Sequence, residues 1–124
     1  MEILQFEASI DTPSILMDAG KGRFEISGKS YPEDTLEFYA PVLQWMKDYM
    51  QQPAALSTLI FKLEYFNSSS YKPILDLIQN LEELKNKDHV VSVEWHYKTD
   101  DVDMKETGQE FEEVVTIPFV YHTF

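Results

Sequence analysis

No cysteine occurs in the 124 residues of this chain, and only four glycines do. The first absence excludes a disulfide framework, a thiolate zinc site and a cysteine nucleophile, and it suits a reducing compartment. The second leaves no glycine-rich loop of the kind that cradles a phosphate. Positive charge is scarce as well: ten Lys and Arg stand against 22 Asp and Glu, a formal charge of −12 at pH 7. A field of that sign repels phosphate backbones and anionic lipid, which argues against nucleic acid and membrane surfaces as partners and favours basic protein surfaces. No apolar run nears the roughly 20 residues that a membrane-spanning helix needs. The opening stretch MEILQFEASIDTP carries acids where a secretion signal would carry Lys or Arg, so a cytoplasmic protein is expected.

What is present suffices for a core. Hydrophobic residues make up 44% and aromatics 14%, well above a disordered composition. A single domain over residues 1–124 is expected, burying roughly two-thirds of its unfolded surface. SILMDA and GRFEISG flank Gly20-Lys21-Gly22 and predict a hairpin whose glycines supply positive φ. The patterns then predict a helix over 33–51, a strand over 56–66, a helix over 70–87, a strand over 89–97, an acidic helix over 103–113 and a last strand over 115–121. Pro118 would suit an edge or bulge position.

The strands alternate. Leu59, Phe61, Leu63 and Tyr65 oppose Thr58, Ile60, Lys62, Glu64 and Phe66, and Val91, Val93, Trp95 and Tyr97 oppose Ser92, Glu94 and His96. A sheet buried on both faces would show continuous apolar runs instead. The pattern predicts a two-layer α/β domain, with a mixed sheet carrying its helices mainly on one face.

The first helix is unusual because its apolar arc covers about half the circumference, wider than a helix on a sheet needs. Either it is deeply embedded, or Phe38, Trp45 and Tyr49 edge a surface for a partner or a weak homodimer. Elsewhere the constellations are poor. His89, His96 and His122 lack ligand spacing along the chain and read as solvated or satisfied side chains, so no metal site and no cofactor is expected. The acidic run DDVDMKETGQE has no glycine at the sixth position of a calcium loop starting at Asp100 or Asp101 and reads as a solvated acidic loop. Lys62, Glu64, Glu94 and His96 would form a charged strip on the open face, as cross-strand pairs or a docking site. No acid, base and nucleophile converge, so an enzyme is not expected.

The stretch YFNSSSYKPILDLIQNLEEL is more informative. Ser68, Ser69 and Ser70 suit a helix cap, with Pro73 taken to fall in the first turn. A phosphate placed there would meet free N–H groups and the positive end of a helix dipole. SYPED…EFYAPVLQW, FKLEYFNSSSYKPILDLIQNLEEL, VEWHY and FEEVVTIPFVY, in that order over about residues 12–121, resemble the SiaC family of bacterial regulatory phosphoproteins. The resemblance implies a STAS-like fold, akin to anti-sigma-factor antagonists, and a non-catalytic switch. Its unphosphorylated form would bind and activate a diguanylate cyclase, raising cyclic di-GMP and promoting biofilm. A serine/threonine kinase would block that binding and a PP2C-like phosphatase would restore it. The family's acceptor position falls on Ser68, with Ser69 and Ser70 as alternates. Asn67, Ser68, Ser69, Ser70 and Tyr71 would belong to the docking surface. An anti-sigma-factor antagonist and a constitutive scaffold are the alternative readings.

Overall fold

The computed structural model describes residues 1–124. Three antiparallel strands open the chain: β1 (Leu4–Phe6), β2 (Ser14–Asp18) and β3 (Arg23–Ser30). Then follow α1 (Thr35–Tyr49), β4 (Leu56–Phe66), α2 (Ser68–Asn86), β5 (Val90–Tyr97), α3 (Val102–Glu113) and β6 (Phe119–Thr123). All six strands lie in one sheet in chain order, and β3–β4, β4–β5 and β5–β6 pair in parallel. Parallel neighbours need a long crossover; here each crossover is a helix. The α/β class and mixed sheet are as expected, with β1 added.

Strand parity decides which side chains enter the core. Phe24, Ile26, Leu59, Phe61, Leu63, Val93 and Trp95 point to one face and share a cluster of 23 buried residues with side chains from all three helices. The other face carries Glu25, Lys62, Glu94 and His96, each partly exposed. Ile60 lies among them yet is only 2% exposed, because its register places it between Glu25 and Glu94.

Several local expectations need correction. Of the two hairpin glycines only Gly22 takes positive φ, at +60°, and a Cβ there would lie 2.1 Å from the carbonyl oxygen of Leu56. Residues 115–118 are irregular, not strand, so Pro118 precedes β6. The Thr116 amide donates to Glu82 Oε2 at 2.6 Å, which holds this segment against α2. Helix α2 closes with Asp88 in the left-handed region (φ 69°), and His89 N–H reaches back to the Leu84 carbonyl at 3.1 Å. That pairing satisfies carbonyls which the end of a helix would otherwise leave free.

Helix α3 lies against β5 through Trp95. The indole is fully buried, donates from Nε1 to the Met104 carbonyl at 2.9 Å, and packs on Phe61, Phe111 and Phe119. Gly108 faces this ring, and a Cβ there would sit 2.5 Å from Trp95 Cδ1. Alanine would gain up to about 1 kcal/mol in helix propensity, whereas overpacking a filled site costs about 1–3 kcal/mol. Gly108→Ala is therefore expected to lower the urea midpoint, by about 1–2 kcal/mol of stability. An unchanged or higher midpoint would mean that α3 yields without cost.

Candidate functional site

Where β4 meets α2, Asn67 holds an extended backbone (φ −87°, ψ 170°) and its N–H donates to the Ser30 carbonyl at 3.0 Å. Asn67 is the N-cap, and α2 begins at Ser68, two residues earlier than the periodicity suggested. The serines are thus the first three residues of the helix and not its cap. Pro73 consequently sits sixth in the helix, beyond the first turn, and leaves the Ser69 carbonyl without its usual donor.

The three hydroxyls differ in what surrounds them. Ser70 is fully buried, with Oγ 2.9 Å from Ser30 Oγ, 3.1 Å from the Ser30 carbonyl and 3.2 Å from Asn67 Oδ1. Ser30 Oγ in turn meets the Tyr39 hydroxyl at 2.6 Å. Burial raises the Tyr39 pKa above its ordinary value, partly offset by the Ser30 and Ser70 hydroxyls. Ser70 therefore pins α2 to β3 and α1. It has no surface from which to accept a phosphate or touch a partner, which corrects its place as an alternate acceptor and docking residue. Ser69 is exposed but engaged: its Oγ donates to Asn67 Oδ1 at 2.8 Å and lies 2.7 Å from Thr35 Oγ1. Ser68 is exposed and stands outside this network.

Asn67 spends its side chain on serine hydroxyls, so no side chain caps the amides of α2. The other two helices differ: Asp34 Oδ1 accepts from Glu37 N, and Asp101 Oδ1 from Met104 N, each at 3.0 Å. Glu37 and Asp103 add acids to those first turns, whereas α2 has none in its own. The first turn of α2 is donor-rich and carries no acid of its own, and Ser68 is attached to it.

Ser68 borders a cleft of about 650 Å³ between the start of α2 and α3. Tyr71 forms part of its wall and stacks on Phe111 at 4.6 Å. Four carboxylates also line it: Glu64, Asp101, Asp103 and Glu110. Glu64 is paired with Lys98 at 2.7 Å, and that hydrogen bond and charge hold its carboxyl below the usual range. Asp101 is committed to capping α3. Asp103 and Glu110 make the α3 side of the cleft acidic, so it suits a cationic side chain from a partner.

The sequence matches the SiaC family, described as SiaC family regulatory phosphoprotein, over residues 6–124. The chain belongs to the SiaC family. It is 32% identical over 119 residues to an uncharacterized protein of Pseudomonas aeruginosa strain UCBPP-PA14, covering 96% of this chain and 94% of that one. The fold superposes on apo-SiaC from Pseudomonas aeruginosa with a TM-score of 0.90 at 32% identity, covering 98% and 99% of the two chains. It also matches the crystal structure of the diguanylate cyclase SiaD in complex with its activator SiaC from Pseudomonas aeruginosa, with a TM-score of 0.92, 30% identity and the same coverage. The six-stranded sheet with three helices is thus the SiaC fold, and the family is a regulatory one.

Within this fold the apolar arc of α1 is mostly interior. Trp45 and Tyr49 are 8% and 1% exposed, which removes both from a docking surface. Both pack against Phe24, and Trp45 Nε1 donates to the Glu2 carbonyl at 2.9 Å. Tyr49 OH lies 2.6 Å from Ser57 Oγ and accepts from the Ala54 amide at 2.9 Å. The deeply embedded reading of α1 is the right one, and the arc gives no ground for a homodimer. Phe38 stays half-buried, tilted against Phe6 of β1 at 6.0 Å.

Nothing in the local sequence pattern marks Tyr39, Asp103 or Glu110 as site residues. A signal existed for Ser30, since parity with Phe24 and Ile26 directs it to the core face. The open face brings another surprise. Lys62 pairs with Glu25 at 3.2 Å, and Glu94, His96 and His122 converge beside it.

Proposed function

We propose that this chain activates a diguanylate cyclase when bare, and that a phosphate on Ser68 turns it off. The observation that carries this reading is the position of Ser68: an exposed hydroxyl, outside the serine network, on a helix start with no side-chain cap. Membership of the SiaC family supports the cyclase as the target, because the related SiaC is the activator in a complex with SiaD. A kinase would add the phosphate and a PP2C-like phosphatase would remove it.

The bare site offers two recognition elements side by side. Uncapped amides and the Ser68 hydroxyl present donors, while Asp103 and Glu110 across the cleft present acceptors. A partner surface with an acceptor for the first and a cation for the second fits both. A phosphate on Ser68 brings about −1.5 to −2 charges and turns its oxygens back onto the α2 amides. The partner's acceptor then meets occupied donors and a like charge. No rearrangement of the fold is required, since the serines beneath are already fixed.

Mixing the unmodified protein with the GGDEF cyclase of its own cells tests the first half. Cyclic di-GMP output should rise with added protein and level off as a complex forms by size-exclusion chromatography. No complex and no rise with any cyclase of those cells would refute the reading.

A further inference from the structure

The open face of the sheet gathers three groups that lie far from the serine cluster in sequence and take no part in its hydrogen-bond network. Glu94 and His96 point the same way from β5, two residues apart, and His122 stands opposite His96 in the parallel register of β5 and β6. Nε2 of His96 is 3.0 Å from Glu94 Oε1, and Nε2 of His122 is 3.9 Å from the same oxygen. The two imidazoles stack at 4.6 Å, 25° from parallel. One donor atom from each of the three residues lies within 4.8 Å of the others.

We propose that Glu94, His96 and His122 form a binding site for a borderline divalent cation, Zn²⁺ above all. Two imidazoles and one carboxylate are a zinc ligand set, and imidazole-rich sets select Zn²⁺, Cu²⁺ or Ni²⁺ over Mg²⁺ and Ca²⁺. Metal–ligand bonds of about 2.0–2.2 Å in a tetrahedron place ligand atoms about 3.3–3.6 Å apart. The pair separations of 3.0 and 3.9 Å to Glu94 bracket that range, and all three donor atoms lie within 4.8 Å of one another, so closing the site requires the two imidazoles to turn out of their stack toward one ion. The cation replaces the hydrogen bond between His96 and Glu94 and leaves a fourth position for water.

The surroundings permit it. Lys62 is next to His96 in register, but its ammonium is drawn the other way to Glu25 on β3, and Lys98 is paired with Glu64. The half-exposed His122 leaves a path from solvent, and the net charge of −12 concentrates cations at the surface. Bound metal would tie the edge strand β6 to β5. No protein acceptor orients the remaining ring nitrogens, so an affinity on the order of micromolar is expected, below that of a site with a full outer shell.

Calorimetric titration of the untagged full chain with ZnCl₂ at neutral pH tests the site. CoCl₂ serves as a second probe, read by the visible absorption of tetrahedral Co²⁺. One equivalent should bind, and His96→Ala or His122→Ala should each weaken it by roughly tenfold or more. His89→Ala, which removes the remaining histidine, should leave it unchanged. Circular dichroism confirms that each variant is folded, and two independent histidine variants guard against a structural artefact in either. Failure to bind either metal, or equal binding by the His96→Ala/His122→Ala double variant, would overturn the assignment.

Discussion

Ser68→Asp should weaken binding to the cyclase at least tenfold, while Ser68→Ala should stay within a few-fold of the unmodified protein. Tenfold corresponds to about 1.4 kcal/mol, and a like charge at an interface costs several kcal/mol. The aspartate carries a smaller charge than a phosphate and fewer oxygens, so its effect is a lower bound on that of phosphorylation. Alanine removes one hydroxyl that lies outside the serine network. It adds no charge and leaves the amides of α2 free for the partner. Isothermal calorimetry with the purified cyclase separates the two variants. Equal affinity for Ser68→Asp and Ser68→Ala would show that charge at this position does not control docking. Ser70 is no substitute in this test, because changing it breaks a buried contact between α2, β3 and α1.

Trp95→Ala should produce the largest loss of stability of any substitution considered, and it should disable the switch without touching Ser68. Truncating a fully buried tryptophan costs about 3–5 kcal/mol against a total of about 5–15 kcal/mol for a domain. Here the indole also supplies the donor for the Met104 carbonyl and the surface on which Phe111 rests. Phe111 carries Tyr71, the aromatic wall beside Ser68. The chain of contacts runs from β5 through α3 to the cleft, so loosening α3 moves Asp103 and Glu110 relative to Ser68. Urea denaturation should give a midpoint lowered in proportion to that loss, and cyclase affinity should fall even under conditions where the variant remains folded. A variant of near-normal stability would mean that α3 is held by contacts other than Trp95.

Much of this architecture was legible because strand alternation and helix periodicity are local signals that burial then enforces. Phe24, Ile26, Phe61, Val93 and Trp95 entered the core as their parity required. The three-residue strand β1 was not legible, being too short to show a period and defined only by its pairing with β2. Periodicity puts the start of α2 two residues late because Asn and Ser are all competent caps. Which one serves is decided by the Ser30 carbonyl that holds Asn67, across a separation the sequence does not display. Periodicity likewise gave the direction of Trp45 and Tyr49 but not their cover: Trp45 binds the Glu2 carbonyl, and Tyr49 binds Ser57 and Ala54. Chain spacing alone gives no metal site among the histidines, because His96 and His122 become neighbours only when β5 and β6 pair. For the serines, composition placed three hydroxyls together and the family resemblance pointed to Ser68; the fold adds that Ser70 is buried and Ser69 is engaged.

The measurement that bears most directly on the switch is intact and tandem mass spectrometry of the protein isolated from its own cells in planktonic and aggregated growth. A single phosphate on Ser68, lower in occupancy in the aggregated cells, is the predicted result. Phosphate absent from Ser68 in both states, or carried by Ser69 instead, would contradict it.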